Sequence, residues 1–104
     1  MLYTKEAVEK IGYKEGYYIP EKVLKNKTIR TELKWGYIAL VNVMLRNNNQ
    51  DEPCVDENDP LTIEVLKALA NKKVDQAKID GYVQELEDMN LVEIRDHKIY
   101  IEQL

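Results

Sequence analysis

Serine and phenylalanine are absent from this sequence, and cysteine, histidine and tryptophan occur once each. A lone Cys54 excludes an internal disulfide and fits a reducing compartment. Without serine, a paired Cys and His, a glycine-rich phosphate loop or a clustered set of metal ligands, the chain offers no catalytic constellation. It is not expected to be an enzyme or to hold a metal or cofactor. Long apolar runs are also missing: none approaches the ~18 residues of a membrane span. The N-terminus Met1-Leu2-Tyr3-Thr4-Lys5-Glu6 has neither the basic nor the apolar region of an export signal. A cytoplasmic protein without membrane association is the expectation.

What is present fits one small domain. The 104 residues are enough for a single core, and with no phenylalanine the large contacts fall to seven tyrosines, Trp35, leucine and isoleucine. Net charge is -4, so no global basic excess drives non-specific nucleic-acid binding. The charge is nevertheless polarised. Residues 1–46 hold nine Lys/Arg against five Asp/Glu, a balance of +4, whereas residues 47–104 hold six against fourteen, a balance of -8. An anion-binding surface should therefore draw on the N-terminal half.

The pattern is densest from Leu61 to Ile101. Apolar periodicity over Pro60 to Ala70 predicts a helix burying Val65, Leu66 and Leu69, with Leu61 or Ile63 completing its face. Asp59-Pro60 supplies its N-cap and first turn. Asn71-Lys72-Lys73 is a turn short enough to set two helices at a steep angle. Asp75 caps the second helix, whose core positions are Ile79, Val83, Leu86 and Met89. Its other face carries Gln76, Lys78, Asp80, Tyr82 and Gln84, and Gly81 allows close approach of DNA, a helix or a partner. Val92, Ile94, Ile99 and Ile101 then alternate across an Asp96-His97 turn as a hairpin. Two helices, a turn and a hairpin make a winged helix-turn-helix, an α+β, mostly helical fold with a C-terminal β-hairpin wing and an N-terminal extension.

Upstream, Thr4 caps a short helix to Ile11 that Gly12 closes. Its Thr-Lys-Glu start also occurs in other DNA-binding helices, but no adequate second helix follows before Pro20, so a docking helix is preferred. Gly16 to Pro20 reads as extended, and Pro20 starts a single turn through Val23 and Leu24. Lys22, Lys25, Lys27, Arg30 and Lys34 form a basic run, either a solvated helix edge or a phosphate-contacting rim. Thr31 caps the longest apolar helix, Glu32 to Arg46. Near its start Trp35 is a core or interface anchor rather than a base-stacking residue, and Gly36 marks close approach of another backbone. Asn47 to Glu52 is a polar loop ended by Pro53, and Cys54-Val55 is a short strand able to join the hairpin. Asp56-Glu57-Asn58-Asp59 lacks the alternating carboxylates, central glycine and distal glutamate of a calcium loop. His97 is a surface turn residue.

Tyr18-Ile19-Pro20 with Val23-Leu24, the apolar helix from Thr31-Glu32-Leu33, the helix pair and the closing Leu86-Glu87-Asp88-Met89-Asn90-Leu91-Val92-Glu93-Ile94 together resemble the N-terminal winged-helix domains of bacterial, phage and plasmid replication-initiation proteins. These are the DnaD-type proteins, phage replisome organisers and RepA-type initiators. The resemblance spans residues 17–101. It implies binding to double-stranded DNA in replication initiation or transcriptional control, and homodimerisation through segments outside the helix pair. The chain is then one domain, with residues 1–30 an extension carrying the dimerisation segment and 31–104 the winged helix-turn-helix. Lys72, Lys73, Gln76, Lys78 and Tyr82 would enter or flank the major groove, Arg95, His97 and Lys98 would act from the wing, and Lys25, Lys27, Arg30 and Lys34 would grip backbone. Tyr17, Tyr18 and Trp35 are the candidate dimer surface. Two features depart from the family: the recognition helix is acidic, and the sequence stops at Leu104 without the C-terminal helical domain such proteins usually carry, as expected of either a fragment or a free-standing small protein. The rival expectation is a protein-interaction winged helix, an adaptor or inhibitor whose acidic C-terminal face meets a basic protein.

Overall fold

One helix passes through the middle of the molecule and the other elements wrap it. In the computed structural model, which describes residues 1–12, 16–47 and 51–104, this is α3, Thr31–Arg46. Every residue from Gly36 to Leu45 is buried, because apolar positions ring the helix and α2 (Glu21–Leu24), α4 (Leu61–Ala70), α5 (Gln76–Asp88) and β1 (Val55–Asp56) all pack on it. The helix starts one residue earlier than expected: Arg30 is the N-cap and makes no side-chain capping bond.

The two C-terminal helices lie where the sequence places them, but α4 begins at Leu61 with Pro60 in the N-cap position, one residue later than expected, and α5 ends one residue early, at Asp88. Asp59 accepts the Leu61 N–H at 2.9 Å through one carboxylate oxygen and the Asn47 side-chain amide at 2.9 Å through the other. Asn71, at φ 51°, closes α4 in the left-handed conformation that asparagine tolerates. Asp75 accepts the Lys78 N–H at 3.0 Å. At the far end of α5, Asn90 takes φ 60°, the Leu91 N–H donates to the Leu86 carbonyl, and the Asn90 N–H donates to that of Glu87, each at 2.9 Å. This is the Schellman arrangement, with buried Leu91 and Leu86 supplying its apolar contact. The helix stops at Asp88, so Met89 lies in the cap and is exposed. That corrects its expected place in the core; the core face is Ile79, Tyr82, Val83 and Leu86.

The sheet has three antiparallel strands in the order β1-β3-β2, with β2 at Val92–Arg95 and β3 at Lys98–Ile101. Val92 pairs with Ile101 and Ile94 with Ile99, as the alternation predicts. Asp96 and His97 both have positive φ, 50° and 63°, the requirement of a type I′ two-residue hairpin. β1 is Val55–Asp56, one residue later than Cys54-Val55, and pairs Val55 with Ile99. Together the elements form an α+β fold with a small antiparallel sheet.

The N-terminal segment is built into this unit. Leu2 bridges Glu102, the Tyr3 N–H donates to the Ile101 carbonyl at 2.9 Å, and the Gln103 N–H donates to the Met1 carbonyl at 2.8 Å. The N-terminal ammonium also pairs with the Glu102 carboxylate. Tyr3, Val8 of α1 (Lys5–Ile11), Val23 of α2 and Ile29 all enter the same core as α3. Tyr37 of α3 is fully buried and donates its hydroxyl to the Glu102 carbonyl.

Burial drives the Tyr37 hydroxyl well above its ordinary ionisation range, and the nearby Tyr3 adds to the effect. Because the folded value is raised above the unfolded one, this contribution to stability is complete below about pH 10 and is lost as pH rises beyond it. Melting temperature measured against pH should therefore fall above pH ~10, and Tyr37→Phe should flatten that fall while costing about 1 kcal/mol near neutrality for the lost hydrogen bond.

Candidate nucleic-acid interface

The outer side of α5 and the turn before it form the surface on which the expected contact residues meet. Lys72, Lys73, Gln76 and Lys78 are all exposed there. The N-terminal basic run reaches the same place: Arg30, Glu32, Lys72, Lys78, Gly81, Tyr82 and Glu85 line one shallow concavity of ≈ 430 Å³. Gly81 faces open space, since a Cβ there would meet nothing within 4 Å. The α3 start and the α4–α5 turn, distant in sequence, thus present their cations side by side.

Tyr82 was expected on the open face of the helix, but its side chain lies mostly on the buried face and only borders the concavity. It is 9 % exposed and packs against α3, where a Cβ added at Gly36 would lie 3.3 Å from the Tyr82 Cβ. Gly36 therefore makes room for a side chain of α5 rather than for another backbone. The physical reason is spacing: Ile79, Tyr82, Val83 and Leu86 fall at i, i+3, i+4 and i+7, the buried stripe of an amphipathic helix.

Most of the cations are already partnered. Arg30 bonds to Glu32 at 3.0 Å and also to Glu85, and Lys72 lies 3.5 Å from the other oxygen of Glu32. The Lys72 charge, aided by Arg30, holds the Glu32 carboxyl below its ordinary range, and the Glu85 hydrogen bond raises the Arg30 guanidinium. These groups are about half exposed, so each pair contributes little to stability. Their importance is that a phosphate must displace a carboxylate to reach them. Lys25 pairs with Glu21 at 2.6 Å, and the Lys34 ammonium donates to the Leu24 carbonyl at 3.1 Å. Among the described residues Lys27, Lys73, Lys78 and Lys98 have no ion pair.

Along α5 the Gln76 amide is spent on Asp80 at 2.9 Å and that of Gln84 on Asp88 at 3.1 Å. At the hairpin tip Arg95 lies 3.7 Å from Glu93 and stacks over the Tyr100 ring at 4.1 Å. His97 Nδ1 is 3.1 Å from a Glu57 carboxylate oxygen, and the Glu57 N–H donates to the His97 carbonyl at 2.9 Å. The tip is thereby tied to the chain after β1. Between α5 and the hairpin lies a second concavity lined by Glu57, Asp80 and Gln84 over an apolar floor, so the two cationic groups are separated by acidic and neutral side chains.

Of the residues expected at a dimer surface, Tyr17 and Tyr18 are exposed, whereas Trp35 is half-buried and packs on the core. Glu32 and Glu85, which pair with the cations of this surface, were not among the expected site residues. Among the described residues no group of three His, Cys, Asp or Glu side chains is placed to hold a metal ion, and no helix is long and apolar enough to cross a membrane.

Compared with known proteins, the chain matches no family model, no curated protein and no solved structure.

Proposed function

We propose that this chain is a cytoplasmic, non-catalytic winged-helix module that binds double-stranded DNA, acting in replication initiation or transcriptional control. The order α3-β1-α4-α5-β2-β3 with strand order β1-β3-β2 supports the winged-helix reading. In it α5 is the recognition helix and the β2–β3 hairpin the wing. The observation that carries the functional reading is the convergence of Arg30, Lys72 and Lys78 on one concave surface beside the open flank of Gly81. Lys73 and Lys27 extend that grip along the backbone, and Gln76 stands at the N-terminal end of α5, the end such helices direct at base edges. Arg95, His97 and Lys98 contact phosphate from the wing.

A second reading has its own support. Glu32 and Glu85 occupy Arg30 and Lys72, and Asp80, Glu85 and Asp88 are exposed on α5. An acidic helix of this kind suits a protein-interaction winged helix that docks on a basic partner.

Fluorescence anisotropy on mixed duplex DNA over a salt series separates the two. Wild type should bind at low salt and weaken steeply as salt rises. Lys72→Glu/Lys78→Glu should reduce the salt slope by about 2, since each lost phosphate contact removes about 0.9 from it. Absence of binding at low salt overturns the DNA reading in favour of the protein-interaction one. Binding that ignores the double substitution removes the concave surface from the interface.

A further inference from the structure

α5 has a concave flank on each side, and the two differ in charge. Toward α3, the cations Arg30 and Lys72 are interleaved with Glu32 and Glu85 and pair with them. Toward the hairpin, a concavity of ≈ 260 Å³ has no lysine or arginine in its wall. Its floor is apolar: Ile79, Val83 and Ile99 are buried, and half-buried Ile94 joins them from β2. Glu57 and Asp80 stand at its rim. Asp80 accepts a hydrogen bond from the Gln76 amide at 2.9 Å, and Glu57 lies 3.1 Å from His97 Nδ1. Among the described residues neither carboxylate has a lysine or arginine partner. The Glu57 N–H also donates to the His97 carbonyl at 2.9 Å. Both acids are thus held in place before anything enters, which lowers the ordering cost of binding there.

We infer that this groove receives an arginine side chain from a basic segment of another protein. An arginine carries both things the groove is shaped for: a methylene stem that covers apolar surface, and a planar cation with five N–H donors. With the stem on the isoleucine and valine floor, the guanidinium reaches the rim, where Glu57 and Asp80 each keep lone pairs to accept from it. Size favours a side chain over a free ligand, since small-molecule pockets begin near about 300 Å³ and enclose most of their occupant. Charge disfavours DNA, because a phosphate here meets two carboxylates with no cation between them. A second copy of the chain is a poor donor as well. Its arginines are engaged: Arg30 by Glu32 and Glu85, Arg46 over the Tyr17 ring, and Arg95 by Glu93 and the Tyr100 ring. The proposal rests on the protein-interaction reading for its partner and adds the place where that partner is gripped. The surface formed by Arg30, Lys72 and Lys78 lies on the other flank of α5 and takes no part.

Titration of the isotope-labelled full chain with an acetylated Arg-Ala-Arg peptide at low salt, followed by amide NMR, tests the groove. Shifts should concentrate at Ile79, Asp80, Val83, Ile94 and Ile99. The citrulline analogue, which has the same shape without the charge, should give none. Glu57→Gln/Asp80→Asn should weaken binding on the order of ten-fold, as expected when hydrogen bonds between charged groups are lost. Glu87→Gln/Asp88→Asn removes the same charge from α5 outside the groove and should weaken it by no more than about two-fold. Equal weakening by the two pairs overturns the groove while leaving a basic partner, since the attraction then belongs to the acidic face as a whole. Equal binding of the citrulline analogue overturns the need for a cation and the proposal with it. Absence of binding overturns the groove and the basic partner together.

Discussion

Replacing Leu86 by alanine should lower the free energy of unfolding by about 3–5 kcal/mol, the upper part of the range for a buried leucine. Leu86 is fully buried on the core face of α5. Its carbonyl also receives the Leu91 N–H that ends the helix, and its side chain belongs to the same apolar contact as Leu91. The substitution thus opens a cavity under the helix and removes half of the contact that aims the chain into β2. For a domain whose whole stability is of order 5–15 kcal/mol this is a large fraction, and the melting temperature should fall by roughly 15 °C or more. Urea unfolding followed by Trp35 fluorescence measures the change. Met89→Ala, three residues away and exposed, should cost about 1 kcal/mol or less. Equal effects at the two positions would mean that α5 does not end at Asp88.

Asn42→Asp, a change of one atom, should cost about 3 kcal/mol or more at neutral pH. The new oxygen cannot donate, so the Tyr18 and Ile38 carbonyls lose their partner and face a buried negative charge instead. Burial raises the pKa of such a carboxyl, so the folded protein binds its proton more tightly than the unfolded chain does. The loss is then greatest at neutral and higher pH and shrinks as pH falls and the protonated acid donates one bond again. Asn42→Leu, similar in size and uncharged, should cost less and show no such pH dependence. Urea unfolding of the three proteins at pH 5 and pH 8 decides the matter; equal losses for aspartate and leucine at both pH values would show that the buried charge adds nothing to the loss of the amide bonds.

Where the fold was legible in the sequence, the signal was local. Asp75 and Thr4 cap the helices they precede, with the Thr4 hydroxyl accepting the Ala7 N–H at 3.1 Å, because a capping oxygen needs only the next turn of its own chain. The hairpin was legible because alternation and a two-residue turn fix register without outside help. Tyr82 was misplaced because a tyrosine serves both a core and a contact face, although its spacing from Ile79 and Leu86 marked the buried stripe. Met89 continued an apolar count past the point where Asn90 turns the chain. The candidate site suffered from a different blindness. That Arg30 would sit against Glu85, or Lys72 against Glu32, depends on how α3, α4 and α5 pack, and no pattern along the chain states which carboxylate a surface cation will meet. Asn42 reads as one polar interruption in an apolar helix until Tyr18 is seen beside it.

The pairing of Leu2 with Glu102 has a consequence for the order of assembly. These residues are separated by nearly the whole chain, so the contact closes a loop of about one hundred residues and bears the entropic cost that such closure carries. The α4–α5 turn and the hairpin close over short stretches and are free to form early. Residues 1–3 therefore stay without their partners until Ile101 and Glu102 come within reach. Only then is Tyr3 drawn under the sheet and the Tyr37 hydroxyl given its acceptor. Residues 1–3 are thus among the last of this domain to find their place.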